Sequence, residues 1–322
     1  MTSNKKLFTI YSQPSQPLEG HCPPRQVLKF EHWPLYSEHR TLNFDLETVR
    51  KALAEDVGTG DVTTLATVPA STRAGAVMVA REPLVICGLP LAEAVFKEVS
   101  AEIEIERQAE DGQQAHKGQC LLRLRGPAGA MLTGERVALN FVQRLSGVAT
   151  LTARFVEAVA GTRARILDTR KTTPGLRALE KYAVRCGGGT NHRFGLFDRV
   201  LIKDNHLAAL RLEPPNAIEA AVRRARAQYP GLEVEVEADT LEQVEEALMG
   251  KADIILLDNM SNEQLRAAVW LVNGRARTEA SGGVNLATVR AIAETGVDYI
   301  SVGALTHSAR ASDVALDFEA VG

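Results

Sequence analysis

Four cysteines serve a chain of 322 residues, and Cys22, Cys87, Cys120 and Cys186 show no CxxC spacing. That excludes the usual zinc-ligand patterns and the disulfide frameworks of small secreted domains. No apolar run approaches the roughly 18 residues needed to span a bilayer. No apolar signal-peptide core stands near the start. Aromatic residues make up 5% of the chain, and the formal net charge is −3. Few stacking surfaces and no broad basic excess argue against a nucleic-acid partner. The remaining class is a soluble cytoplasmic protein without a membrane partner. Its length exceeds the size at which one core usually stops growing, so two domains are expected.

The pattern along the chain divides it. Residues 1–42 are an irregular N-terminal extension, with prolines at 14, 17, 23, 24 and 34 and no sustained period. From 43 to 150 strands and helices mix, as in an α/β sandwich. Asp45 can cap a helix with the apolar stripe Leu46, Val49, Leu53, ended at Gly58 and Gly60. Strand-like AGAVMVA and PLVICG follow, then a helix near LAEAVFKEV, alternating EIEIE, and CLLRLRG. Residues 134–159 read as a long amphipathic helix that places Arg136, Asn140 and Arg144 on one face, solvated or functional. Between 151 and 308 the rhythm is strand then helix, repeated. The apolar runs are RILD (165–168), VLIKD (200–204), LEVEVE (232–237), IILLD (254–258), RTEASGG (277–283) and YISVG (299–303). Such alternation implies parallel strands with crossover helices, in a barrel or a doubly wound sheet. The tail DVALDF (313–318), within 309–322, can return as an edge strand to the first domain.

Charge is concentrated in residues 163–203. Ten Lys/Arg stand there against Asp168, Glu180 and Asp198, a local balance of 10 − 3 = +7. Like charges at close range repel, so an anionic ligand is the natural neutraliser. In a parallel barrel, chemistry gathers at the carboxyl ends of the strands. Here those ends deliver Asp168, Thr169, Arg170 and Lys171; then Lys203 and Asp204; Glu237; Asp258 and Asn259; Ser281, Gly282 and Gly283; and Gly303. The glycine-bearing ends can take a phosphate on backbone N–H groups, or be plain turns. Glu237 and Asp258 suit Mg²⁺ with sugar hydroxyls, or are ion-pair partners for the lysines. His192 is a ligand or a satisfied structural histidine. GGG at 187–189 lacks the following Gly-Lys-Ser/Thr of a phosphate loop and reads as a linker. A mouth with both cations and acids suits a phosphorylated sugar bearing pyrophosphate.

Several blocks together resemble the quinolinate phosphoribosyltransferase family. They are GERVALNFVQRLSG, DTRKTTPGLR, KYAVRCGGGTNHRFGLFDRVLIKDNH, EVEVEA, ILLDNM, EASGGV and ISVGALTHS, within residues 43–310. The resemblance implies an α/β fold, with an N-terminal α/β sandwich followed by an incomplete α/β barrel of parallel strands. It implies a pentosyltransferase that converts quinolinate and phosphoribosyl pyrophosphate to nicotinate mononucleotide, pyrophosphate and CO₂, with Mg²⁺. It further implies a homodimer or a higher oligomer of dimers. By the same resemblance, Arg136, Arg170, His192, Arg193 and Lys203 gather the quinolinate carboxylates, Arg136 reaching the neighbouring subunit's site. Lys171 lies toward the pyrophosphate, and Glu237 and Asp258 toward ribose and Mg²⁺. Thr169, Ser281, Gly282, Gly283, Val302, Gly303 and Ala304 complete the substrate site, largely on phosphate. Three rivals remain: a relative that uses nicotinate and releases no CO₂, a Schiff-base aldolase built on Lys203 or Lys171, and a nucleotide- or RNA-binding module.

Overall fold

Residues 46–210 and 214–319 are described by the structure, a computed structural model of the chain. The expected extension at 1–42 and the Asp45 cap lie outside them. The first elements are α1 (Leu46–Val57) and α2 (Val62–Thr67), then β1 (Arg73–Ala80), β2 (Leu84–Val85), α3 (Leu89–Val99), β3 (Glu104–Arg107), β4 (Gln114–Ala115) and β5 (Cys120–Pro127). Of the stripe expected on α1, Val49 is buried while Leu46 is 40% exposed. PLVICG forms only the short β2, paired with β4. Beyond it, the Ile86 N–H goes to Gln113 O and the Cys87 N–H to Ser146 Oγ, so this backbone is satisfied outside any longer strand.

The long helix α4 (Ala128–Ala158) starts six residues earlier than its sequence pattern suggested. Buried Ala128 and Met131 extend the apolar stripe upstream at helical spacing. Beyond it lie β6 (Arg165–Leu167), α5 (Arg177–Cys186), β7 (Val200–Ile202), α6 (Asp204–Ala208), α7 (Ala217–Gln228), β8 (Val234–Ala238), α8 (Leu241–Met249) and β9 (Ile254–Asp258). The chain continues through α9 (Asn262–Val272), β10 (Arg277–Ser281), α10 (Val289–Ala293), β11 (Tyr299–Ser301), α11 (Ala304–His307) and β12 (Val314–Glu319).

Beside the two-stranded β2-β4 ribbon, two larger sheets organise these elements. The first is antiparallel in the order β12-β1-β5-β3. Its edge is the returning tail, with Ala80 opposite Val314 and Gly75 opposite Glu319. The second is parallel in the order β6-β11-β10-β9-β8-β7. β6 and β7 do not pair, so the barrel is open between its first two strands. Thr190, in the segment after α5, bridges in parallel to Leu167 at the edge of that gap. The sheets belong to one compact unit, and α4 packs on both, against α3 and β12 on one side and α5 and β6 on the other.

Glycines set how closely α4 is approached. A Cβ at Gly187 would stand 2.3 Å from Ala149 O, and one at Gly189 would stand 2.7 Å from a Val184 methyl. The GGG run is therefore a close-packing device that seats the turn after α5 on α4, rather than the linker its composition suggested. On α4 itself a Cβ at Gly147 would fall 1.9 Å from Arg310 O. Backbone cannot yield as a flexible side chain can. Gly147→Ala should therefore lower stability by about 1–3 kcal/mol or more, the usual cost of overpacking. Urea unfolding read by circular dichroism checks this, and an unchanged midpoint would show that the loop at Arg310 moves freely.

Candidate active site

The strand ends surround a cleft of about 880 Å³. Thr169, Arg170, Lys171, His192, Arg193, Lys203, Glu237, Asp258, Ser281, Gly282, Gly283, Val302, Gly303 and Ala304 all line it. Of the site residues expected from sequence, Arg136 alone is absent from the lining. It is exposed on α4. Strand geometry explains the gathering. Every parallel strand presents its carboxyl end to the same mouth, and alternate residues point inward.

The cations are crowded. Arg193 is 9% exposed. Burial and, next, the neighbouring Arg170 push its pKa down. Arg170 Nε is buried without a hydrogen-bond partner. A buried guanidinium beside a half-buried one with an unspent Nε makes a site for an anion, above all a carboxylate that fits the planar fork. Lys203 is paired with Glu237. The ion-pair alternative for Glu237 thus holds within the protein alone. Lys171 runs past Gly303, where a Cβ would come within 3.1 Å of its Cδ.

The opposite wall is backbone. Gly282 has φ +99°, and a Cβ there would meet Asn259 Oδ1 at 2.1 Å. Asn259 in turn donates from Nδ2 to Asp258 Oδ2 at 2.6 Å, and its N–H goes to Ser281 O at 2.9 Å. The N–H groups of Gly282, Gly283, Gly303 and Ala304 have no backbone acceptor among the described residues. They remain available to an anion approaching closely.

What aims these groups is buried. Asp168, fully buried, pairs with Lys181 of α5 and accepts from the His192 N–H at 2.8 Å and from Asn191 Nδ2 at 2.6 Å. Burial pushes the Asp168 carboxyl up and the Lys181 ammonium down, and each partner opposes the other's shift. Glu180, also buried, accepts from the Thr173 N–H (3.0 Å), Thr173 Oγ1 (2.7 Å) and Arg144 Nη2 (2.6 Å). Arg144 also donates to the carbonyls of Thr306 and Ala309. It is thus a structural clamp rather than a solvated residue. Thr306 Oγ1 donates to Lys171 O at 2.7 Å.

His192 has protein partners on both ring nitrogens. Nδ1 accepts the Arg193 N–H at 2.7 Å, while Nε2 lies 3.1 Å from Glu235 Oε2. A carboxylate contact through Nε2 would require the ring to trade Glu235 for the ligand. The residues that sequence reading missed lie one inward step below the mouth. They are Glu235, two before Glu237, and Glu279, two before Ser281. The period-2 alternation in EVEVE and TEAS carried that signal.

The comparisons with known proteins agree on one family. Its model described as “Quinolinate phosphoribosyl transferase, C-terminal domain” matches residues 148–317, and the corresponding N-terminal domain model matches 61–146. A nicotinate-nucleotide pyrophosphorylase [carboxylating] of Mycobacterium leprae is 49% identical over 277 residues, spanning 84% of this chain and 96% of the relative. Among solved structures, the nicotinate-nucleotide pyrophosphorylase of Francisella tularensis aligns with TM-score 0.81 at 39% identity, covering 86% of this chain and 98% of that one. Human nicotinic acid phosphoribosyltransferase, at 15% identity and TM-score 0.58 over 87% of this chain and 74% of that one, shares the fold alone.

Removing one member of a buried pair strands the other's charge. Lys181→Met should destabilise the protein by about 3–5 kcal/mol. Chemical denaturation measures it, and a loss below about 1 kcal/mol would show that Asp168 is satisfied without Lys181.

Proposed function

The chain belongs to the quinolinate phosphoribosyltransferase family, and we infer that its cleft carries out that family's reaction. Phosphoribosyl pyrophosphate and quinolinate give nicotinate mononucleotide, pyrophosphate and CO₂, a step of de novo NAD synthesis. The observation that carries the substrate choice is the pair of guanidinium groups in one cleft, Arg193 buried and Arg170 half-buried with its Nε unpartnered. A dicarboxylate recruits several such forks, whereas nicotinate has one carboxylate to offer.

In this reading Arg170, Arg193 and Lys203 hold the quinolinate carboxylates, with His192 fixing the backbone of Arg193. Lys171 takes the leaving pyrophosphate. The glycine wall at Ser281–Gly283 and Gly303–Ala304 receives phosphate on backbone N–H groups. Glu237 and Asp258 face the ribose, whose anomeric carbon gains positive charge as pyrophosphate departs, much as in glycoside cleavage. The C2–carboxylate bond then breaks, CO₂ leaves, and the electron pair stays at C2. The ring nitrogen, cationic once joined to ribose, stabilises that carbanion without an organic cofactor, and a proton from solvent then forms the C2–H bond of the product.

Glu237 and Asp258 end adjacent strands and offer hard oxygen donors, yet no third carboxylate or histidine closes a cage around them among the described residues. That donor set fits Mg²⁺, which takes one or two carboxylates and completes its shell with water and substrate phosphate oxygens. When bound, Mg²⁺ supplies charge stabilisation to the departing phosphates. No helix among the described residues is long and apolar enough to cross a membrane. The free thiols of Cys87, Cys120 and Cys186 support a reducing, cytoplasmic setting.

Purified protein incubated with quinolinate, phosphoribosyl pyrophosphate and Mg²⁺ should release CO₂ and form nicotinate mononucleotide, with little product when divalent cations are chelated. Turnover of nicotinate in place of quinolinate, without CO₂, would establish the rival substrate.

Arg136 is exposed on α4, outside its own cleft, which supports a dimer in which it completes the neighbouring site. Arg136→Ala and Lys203→Ala should each be nearly inactive, yet regain activity when mixed under subunit exchange. Random pairing makes half the dimers mixed, each with one intact site, so recovery should approach about a quarter of wild type. No recovery despite demonstrated exchange would mean that Arg136 serves no neighbouring site.

A further inference from the structure

Beneath the mouth lies a layer formed by the inward residues one alternation deeper: Leu201, Glu235, Leu256, Glu279 and Ser301. Barrel layers are ordinarily filled by bulky apolar side chains. Here β8 and β10, separated only by β9, each contribute a fully buried carboxyl group instead. Two such groups are costly unless paired or neutral.

Glu235 is paired. His192 Nε2 lies 3.1 Å from it, and Arg199 Nη1 lies 3.4 Å from it. Glu279 is not. Both its carboxyl oxygens are buried without a hydrogen-bond partner, and His192 Nε2 is 3.6 Å away, beyond bonding reach. Glu279 nevertheless lines the cleft. Donor atoms of His192, Glu235 and Glu279 all lie within 4.8 Å of one another. Around Glu279 the charged and titratable neighbours are Glu235 on β8, His192 in the segment after α5, and Arg199 just before β7.

We propose that Glu279 is a positioning residue for quinolinate: a neutral acid that braces Glu235 and His192, and through His192 Nδ1 fixes the backbone of Arg193 against the substrate carboxylate. The neutral form is what the surroundings favour, because burial and then the charge of Glu235 push this carboxyl well above the ordinary range. A neutral acid can donate to Glu235, whereas an ionised one would set two negative charges beneath a dicarboxylate site. The proposal rests on the reading that Arg193 holds quinolinate.

Glutamine has the shape and hydrogen-bonding pattern of a protonated glutamate, donor on one arm and acceptor on the other. Leucine has similar bulk and neither. Glu279→Gln should keep the KM for quinolinate within about twofold of wild type. Glu279→Leu should raise it roughly tenfold, the scale of losing a support behind a ligand-binding side chain, with the KM for phosphoribosyl pyrophosphate within about twofold. A general structural lesion would move both constants together.

The proposal fails if Glu279→Leu leaves the quinolinate KM unchanged, if both KM values rise equally, or if Glu279→Gln is impaired as severely as Glu279→Leu. Thermal melts report whether each variant folds. If the leucine variant does not, Glu279→Gln decides: a retained quinolinate KM supports the neutral acid, and a tenfold rise overturns it. Arg193→Ala separates this inference from the one beneath it. An unchanged quinolinate KM in that variant would sink the assignment of Arg193, whereas a raised one beside an unaffected Glu279→Leu would sink only the role of Glu279.

Discussion

The buried carboxylate of Asp168 fastens three parts of the catalytic mouth together: the end of β6, helix α5 through Lys181, and the 190–193 segment through Asn191 and the His192 N–H. That segment starts beside the gap between β6 and β7, where no ladder continues to hold it. Beside the Thr190 bridge to Leu167 and the His192–Glu235 contact, this anchor fixes the residues that bring Arg193 to the cleft. A charge buried this way is stabilising only while its partners stay in place. Position of the site and integrity of the fold are therefore coupled at one residue.

A second fastening secures the loop that carries Arg170 and Lys171. Glu180 gathers Thr173 and Arg144, and Thr306 holds the Lys171 carbonyl. Cations placed together repel, so the backbone beneath them has to be fixed before a ligand arrives. Acids outside residues 163–203 offset part of the +7 balance there: Arg163 pairs with Asp298, and Arg199 with Glu233 and Glu235, while Lys181 is spent on Asp168 within the segment. Arg177 bonds Thr172 Oγ1 and the Phe194 carbonyl. Arg170, Lys171, Arg193 and Lys203 are the four that reach the cleft.

The strand ends were legible because parallel sheets impose a rule that reads directly on sequence: an apolar run, then a charged or glycine-bearing end. The clamps were not. Arg144 sits on an amphipathic helix face where a solvated arginine looks identical, and its partner Glu180 is distant in sequence. GGG reads as a linker until α4 is seen against it. Glu235 and Glu279 were passed over for a different reason. A glutamate in a strand is expected to face water, and only the curling of the parallel sheet into an incomplete barrel turns that face inward.

Strand order arranges the chemistry around the mouth. Passing from β6 to its neighbour β11 and on to β10, the rim changes from Arg170 and Lys171 to the glycines at 303, 283 and 282. At β9 and β8 it becomes acidic, with Asp258 and Glu237, and at β7 it turns basic again with Lys203. Arg193 and the 190–193 segment bring the circuit back toward β6. Side-chain cations thus flank the gap where the barrel is open, backbone donors face them, and carboxylates stand between. The sequence order of the strands would have put Lys203 beside Lys171 on adjacent strands. The opening between β6 and β7 prevents that, and gives the 190–193 segment its place. A ligand anionic at both ends and rich in hydroxyls between them meets complementary groups along its whole length.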